Sequence, residues 1–280
     1  MFFSDEAIAQ LIQEDVPFLD LTTYGLSIGK ELGEIEFSTR HPMTICATEE
    51  AARVFEKCGA TVEYLVESGT CLPEQQLILK ASGSAAALHI GWRVGLNLME
   101  YTSGIASRAK ELVNAAKIVN PSVAVVTTRK CFPGTRSISM KAILAGGASP
   151  HRLGLSETVL IFQQHLIFID SIAEIIERIN QMRQRFPEQK ICIEVETSTD
   201  AWMVAEAGVD LIQFDKIPTG ELTNLVTELK GKYPSLKLAA AGGINLGNIH
   251  DYASTGVDIL VTSYPYFGKP ADIAAKMTRK

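Results

Sequence analysis

No apolar run in this 280-residue chain approaches the ~20 residues that a bilayer-spanning helix requires. The start of the chain already carries an acid, Asp5, where a secretory leader wants Lys or Arg, so the protein reads as cytoplasmic. Cysteine is sparse: Cys46, Cys58, Cys71, Cys131 and Cys192 are an odd number, widely spread, with no Cys-x-x-Cys and no His at metal spacing. They read as reduced thiols in core or loop positions, not as a disulfide framework or a zinc site. The sequence also lacks a Gly-x-Gly-x-x-Gly turn after any strand-like segment, which weighs against a doubly wound dinucleotide-binding sheet. A net charge of −6 gives no global pull toward nucleic acid or an anionic membrane, so an anionic ligand must be held by a local cluster of cations.

What is present is enough apolar material, 46% of residues, for one large core or two smaller ones. The texture changes near residue 120. Before it, a helix over residues 4–14 leads into Asp20-Leu-Thr-Thr23, and Glu34-Ile-Glu-Phe37 and residues 61–66 alternate with period two, as half-buried strands do. Residues 49–57 read as a helix, and residues 84–119 as helices broken around Thr102-Ser-Gly104. Residues 1–119 therefore form an α+β module. After residue 120, short continuous apolar runs at 123–126, 158–161, 166–168, 191–193, 211–214, 236–240 and 259–261 read as strands buried on both faces. Helical stretches at 171–186, 199–207, 220–230 and 246–253 separate several of them. The alternation predicts a parallel sheet within residues 120–280, with too few strands for a complete barrel: an incomplete α/β barrel, covered on its open side by the N-terminal module or a second subunit. An open doubly wound sheet is the alternative.

In either architecture ligands bind at the carboxyl ends of the strands. The residues there are Thr127-Thr-Arg-Lys130, Glu196, Asp215, Ala241-Gly-Gly243 and Thr262-Ser263. A Gly-Gly turn between a strand and a helix start at Asn245 suits an oxyanion, although a tight βα turn alone also needs such glycines. Glu196 and Asp215 can hold Mg²⁺ together with substrate phosphates, whereas one such carboxylate by itself is more often a cap or an ion-pair member. His151-Arg152 supplies a second cation cluster, preceded by Lys141-Ala-Ile-Leu-Ala-Gly-Gly147, and Arg129 and Arg152 each offer a planar fork for a carboxylate or phosphate. A Schiff-base chemistry through Lys130 or Lys216 is a further barrel option without a sequence signal of its own.

These residues carry a resemblance. Thr128-Arg-Lys-Cys-Phe-Pro-Gly134 with Arg136, His151-Arg-Leu-Gly-Leu155, Leu160-Ile161 with His165, Ile193-Glu-Val-Glu196, Leu211 to Asp215 and Gly242-Gly-Ile-Asn-Leu-Gly-Asn-Ile249 resemble, in order, the motifs of quinolinate phosphoribosyltransferases. The set, especially Pro150 to Thr158, is most similar to the ModD branch of that family, associated with molybdenum-transport genes. The resemblance implies an N-terminal α/β sandwich on an incomplete barrel and a homodimer or multiple of dimers. It implies transfer of phosphoribosyl from phosphoribosyl pyrophosphate to a heteroaromatic ring nitrogen, with Mg²⁺ on the donor. Arg129, His151 and Arg152 would face the acceptor's acidic groups beside Lys130, Glu196 and Asp215 the ribose and metal, and Gly242, Gly243 and the neighbouring Ser263 the 5′-phosphate.

The chain also departs from the family pattern. Tyr101 stands where the family has an arginine that reaches a neighbouring subunit's site, and Phe162 where it has a lysine. Thr127, Pro150 and Ser263 replace an aspartate, an asparagine and a glycine, and Ser139-Met140 a Glu-Lys pair, with Lys141 one place later. Two lost cations remove charge-assisted hydrogen bonds of roughly 1.5–3 kcal/mol each, about two to four decades in affinity together. The expectation is an acceptor less acidic than quinolinate. Ordinary quinolinate turnover, with Lys141 substituting for a lost cation, and a non-catalytic molybdate-related accessory role are the alternatives.

Overall fold

The structure, a computed structural model, describes residues 3–169 and 172–280. Its contacts divide the chain into two compact units, and the division is not consecutive. The first unit contains the chain up to Lys110, Phe132–Gly147 and Pro265–Lys280, and the second contains Glu111–Cys131 and Ala148–Tyr264. The linear partition at residues 119 and 120 differs from these units, because the strand Ile273–Arg279 pairs with Leu32–Thr39 and Ala142 packs with Cys46, Ala47 and Ala106.

Strands are numbered along the chain. In the first unit β1 (Leu32–Thr39), β3 (Thr61–Leu65), β5 (Leu77–Ser84) and β13 (Ile273–Arg279) form an antiparallel sheet in the order β13-β1-β5-β3, and β2 (Met43–Thr44) pairs with β4 (Cys71–Leu72). Gly33, Ile35, Phe37 and Thr39 of β1 are buried, and Phe37 packs on Phe55 of the helix Thr48–Lys57 with ring centroids 5.7 Å apart. Glu34 and Glu36, on the other face, bracket Lys80 at 3.0 Å each. The expected break at Thr102-Ser-Gly104 does not occur, for Ala85–Val119 is one 35-residue helix. The polar trio serves packing instead. Thr102 Oγ1 donates to Leu98 O at 2.6 Å, Ser103 Oγ accepts from Cys46 N at 2.9 Å, and a Cβ on Gly104 would lie 2.8 Å from Lys269 O.

The second unit is a parallel sheet of β6 (Ala124–Thr127), β7 (Ser149–Pro150), β8 (Val159–Ile161), β9 (Ile191–Val195), β10 (Leu211–Asp215), β11 (Lys237–Ala241) and β12 (Ile259–Thr262), in the order β7-β6-β12-β11-β10-β9-β8. That order is the chain order read around a ring with one link missing, between β7 and β8. The incomplete barrel is thus an arc of seven strands. One strand differs from expectation: residues 166–168 are the end of the short helix Gln163–Leu166 and the turn after it, with Ile167 and Phe168 exposed, and the two-residue β7 takes the seventh place. The helix expected over 171–186 runs Ile172–Arg185, with residue 171 outside the described residues. No described helix is long and apolar enough to cross a membrane, and all five cysteines are free thiols.

Candidate active site

Strand side chains alternate between faces, and residues paired in register share a face. Val126, Ala239, Ala241 and Val261 pack together with Leu211 and Ile259 as one inner cluster. Two-residue steps from these place Thr128, Ser263, Gln213 and Asp215 on the same face. Gln213 pairs in register with Glu194, which brings Glu194 and then Glu196 to that face as well.

The strand ends are tied together by the backbone ladder continuing past them. Thr128 N donates to Thr262 O, His151 N to Thr127 O and Lys216 N to Ala241 O, each at 2.9 Å. Thr128 Oγ1 and Ser263 Oγ are 2.6 Å apart, and Thr128 Oγ1 also accepts from Lys130 N at 3.2 Å. Arg129 and Lys130 leave β6, and His151 and Arg152 leave β7, the next strand. On the other side of the arc Glu196 follows β9 and Asp215 ends β10, with Gly242-Gly243 after β11 between the two groups. Cations and carboxylates therefore occupy different sectors of one strand-end rim.

The carboxylate sector is closed in part by Lys216, which pairs with Asp215, while in the other sector two guanidiniums act on each other. Burial lowers the proton affinity of Arg152, and Arg129 lowers it further. Burial likewise lowers that of His151, Arg152 adds to the effect, and Gln213 opposes it. Arg129 Nε is buried without a hydrogen-bond partner. Among the carboxylates, burial raises Glu194 above its ordinary value; the bond from Gln213 opposes this, and Asp215 and Glu196 reinforce it. Guanidiniums crowded together want an anion, and crowded carboxylates want a cation.

Gly242 and Gly243 adopt φ of 93° and 74°, a region that favours glycine. A Cβ on Gly242 would sit 2.6 Å from Asp215 Oδ1 and 2.9 Å from Lys216 N, so this glycine lets the turn close against the Asp215 strand end. A Cβ on Gly243 would meet open space. The helix expected to start at Asn245 begins only at Ile249 and spans six residues. Asn245 Nδ2 and Asn248 Nδ2 instead brace the loop by donating to Gly243 O at 2.9 and 3.1 Å.

Lys216, also at positive φ (58°), is exposed and pairs with Asp215 at 3.2 Å. The Asp215 contact raises its proton affinity, the opposite of what a Schiff-base lysine needs. Phe162 follows β8; its backbone N–H donates to His165 Nδ1 at 3.0 Å and its ring stacks on that imidazole at 5.9 Å.

Tyr101 and Lys141 belong to the first unit. Tyr101 is 63% exposed and lines a cavity of about 400 Å³ with Leu11, Glu14, Leu98 and Ile138. Lys141 donates to Glu49 at 2.8 Å and Glu50 at 2.5 Å. Its charge is therefore spent inside that unit, which removes the motive for reading it as a substrate cation.

Two polar residues escaped the sequence reading, Glu194 and Gln213, because they lie within apolar runs. The signal was there: a Glu and a Gln in strands buried on both faces need partners. Gln213 Nε2 donates to Glu194 Oε2 at 2.5 Å.

A parallel arc with charged groups at its strand ends defines an incomplete α/β barrel, a class of fold that carries its ligands at that rim. Residues 20–103 match the family model "Quinolinate phosphoribosyl transferase, N-terminal domain" and residues 105–276 its C-terminal counterpart. The chain belongs to the quinolinate phosphoribosyltransferase family. It is 40% identical over 251 residues to a Rhodobacter capsulatus protein named "Putative pyrophosphorylase ModD", covering 89% of this chain and 95% of that one. A probable nicotinate-nucleotide pyrophosphorylase of Synechocystis is 29% identical over 280 residues, covering 98% of this chain and 92% of that one. The crystal structure of NadC from Streptococcus pyogenes superposes with a TM-score of 0.89 at 24% identity over 100% of this chain and 99% of that one, and so shows the same fold.

Proposed function

We propose that the protein transfers phosphoribosyl from phosphoribosyl pyrophosphate to a ring nitrogen of a heteroaromatic acceptor less acidic than quinolinate, releasing pyrophosphate. The observation that carries this reading is the divided rim. Arg129 and Arg152 press on each other with Arg129 Nε unsatisfied, while Glu194, Glu196 and Asp215 crowd the other sector. Such a rim binds an anionic acceptor on one side and a metal-bound sugar diphosphate on the other.

The described carboxylates fit Mg²⁺ as a partner of the donor and not as a caged resident ion. No group of three or more His, Cys, Asp or Glu among the described residues is arranged to hold a metal ion. Mg²⁺ commonly takes one or two carboxylates and leaves its other positions to water and substrate phosphates. Glu196 and Asp215 would hold it there, and when bound it neutralises charge on the departing diphosphate.

The chain's own groups do the rest. Arg129 and Arg152 orient an acidic substituent of the acceptor, and the Gly242-Gly243 turn receives the 5′-phosphate beside Ser263. Lys130 neutralises negative charge near the reacting centre. The C1′–O bond to pyrophosphate breaks with its electron pair leaving on the diphosphate, and the acceptor nitrogen takes C1′, so positioning and charge stabilisation supply the rate. The aromatic Phe162 and Tyr101, standing where the family resemblance calls for cations, support an acceptor with one acidic group. The same resemblance supports a functional dimer, with Tyr101 reaching a neighbouring subunit's pocket.

Calorimetry tests the donor half: Mg²⁺-dependent binding of phosphoribosyl pyrophosphate, weakened about tenfold or more (on the order of 1.4 kcal/mol) in Asp215→Ala. An unchanged dissociation constant in the variant removes the assignment, and no donor binding by the wild type favours the accessory role. Steady-state assays test the acceptor half. Quinolinate turnover at ~10⁴ M⁻¹s⁻¹ or above would return the protein to ordinary quinolinate chemistry. Tyr101→Arg with Phe162→Lys should improve quinolinate binding by more than the sum of the single changes.

A further inference from the structure

The arc ends at β8, and among the described residues no strand pairs on the far side of that strand. A cavity of about 420 Å³ runs along this free edge, flanked by the helix Ile172–Arg185. Strand side chains alternate between faces, yet Val159, Leu160 and Ile161 all line the cavity, so it lies at the edge and not on one face of the sheet. Ile175, Arg178, Met182 and Arg185, recurring every three or four residues, give it one stripe of the helix, and the fully buried Ile179 is not part of that stripe. None of Arg129, Arg152, Glu196 and Asp215 lines it.

The polar groups along this edge differ in whether the protein uses them. Val159 N donates to Lys190 O at 2.9 Å, which turns the amides of Val159 and Ile161 to β9 and the N–H and C=O of Leu160 to the free edge. Such an edge pair is a template for one residue of an added chain. Of the two arginines, Arg178 is held by Glu174, its Nε donating to Oε1 at 2.9 Å. Arg185 lies over the Phe186 ring, 5.4 Å from the centroid, and has no carboxylate partner among the described residues. The chain leads from Arg185 through a short turn to Ile191, the neighbour of Val159, so this end of the helix stands at the start of β8.

We propose that this cavity binds the carboxyl terminus of an extended apolar peptide, taken up as a strand beside β8. Running antiparallel to β8, the peptide exchanges both backbone bonds with Leu160 and brings its terminal carboxylate to Arg185. Its apolar side chains bury against Ile175, Met182 and Phe186. The charge decides the direction, for a parallel peptide would leave Arg185 without an anion. The backbone decides the class of ligand: an aliphatic chain without amides would cover the Leu160 N–H and C=O and bond neither. The site does not depend on the transferase reading.

Calorimetry on the full-length protein with the peptide acetyl-Leu-Val-Leu tests the proposal. The free acid should bind about tenfold tighter than the same peptide amidated at its carboxyl end, and Arg185→Gln should erase that margin. Methylating the backbone nitrogen of the central valine should weaken binding about tenfold in both proteins, because the Leu160 C=O then loses its donor. Met182→Trp fills the cavity and should abolish binding of all three peptides; Arg185→Gln, a change at an exposed side chain, decides the matter if the tryptophan variant folds poorly. Hydrogen exchange at the Leu160 amide should slow when the free acid is bound. No binding of the free acid, equal binding of acid and amide by the wild type, or a margin that survives Arg185→Gln would overturn the site. Binding that leaves Leu160 exchange unchanged would overturn the strand addition.

Discussion

Lys141 in the first unit and Arg129 in the second are both partly enclosed cations in a chain of net charge −6, and their surroundings differ in kind. Lys141 has its ammonium on Glu49 and Glu50, and Lys80 of the same unit sits between Glu34 and Glu36. Arg129 has a neighbouring cation, Arg152, and a buried Nε with no partner. The unpartnered buried atoms of the first unit, Thr48 Oγ1 and Trp92 Nε1, belong to neutral side chains. Charge in the first unit is thus internally closed and contributes to holding that unit together. On the barrel rim Asp215 has Lys216, whereas Arg129 is left beside Arg152 with its Nε unsatisfied, at a cost in stability.

The largest expected effect tests the closed side. Lys141→Met leaves Glu50, whose side chain is 5% exposed, buried without its cation, and should cost about 3 kcal/mol in urea unfolding. A loss below about 0.5 kcal/mol would mean the cluster behaves like a surface pair, and the contrast would fail.

Arg129→Met tests the open side. Removing a guanidinium that faces another and lacks a partner for Nε should leave stability within about 1 kcal/mol of the wild type, or raise it, while acceptor binding falls. Destabilisation as large as that of Lys141→Met would place Arg129 with the structural cations.

The smallest effect is in acid. Burial raises Glu49, but the bonds from Lys141 and Ser68 outweigh it and hold the carboxyl at about 2, against an ordinary 4.5. A depressed carboxyl contributes stability that is complete above its unfolded value and is lost as pH falls through the folded one. Between pH 4.5 and 2 the wild type should therefore lose stability faster than Glu49→Gln. Parallel curves in urea titrations over that window would show that Glu49 carries none of the acid sensitivity.

Much of the barrel was legible in the chain because a strand covered on both faces must be apolar nearly throughout, as in Ile191–Val195 and Lys237–Ala241. Strand ends then pointed to Arg129, Lys130, Glu196, Asp215 and the glycine pair without any knowledge of contacts. The same rule misread residues 166–168, where Ile167 and Phe168 are exposed, and missed β7, which is two residues long. β5 and β13 escaped because Lys80-Ala-Ser-Gly-Ser84 and Ala274-Ala-Lys276 show no clear alternation; what makes them strands is pairing on either side of β1.

The sequence by itself determined the local periods, the parallel arc and the chemistry at its rim, because those depend on side chains a few residues apart. Only the tertiary structure decided which charges are closed and which are open. Lys141 meets carboxylates 91 and 92 positions away, and Gln213 meets Glu194 across 19. Those meetings follow from strand register and packing, which no local pattern encodes, and they separate charge that is closed within the fold from charge that is not.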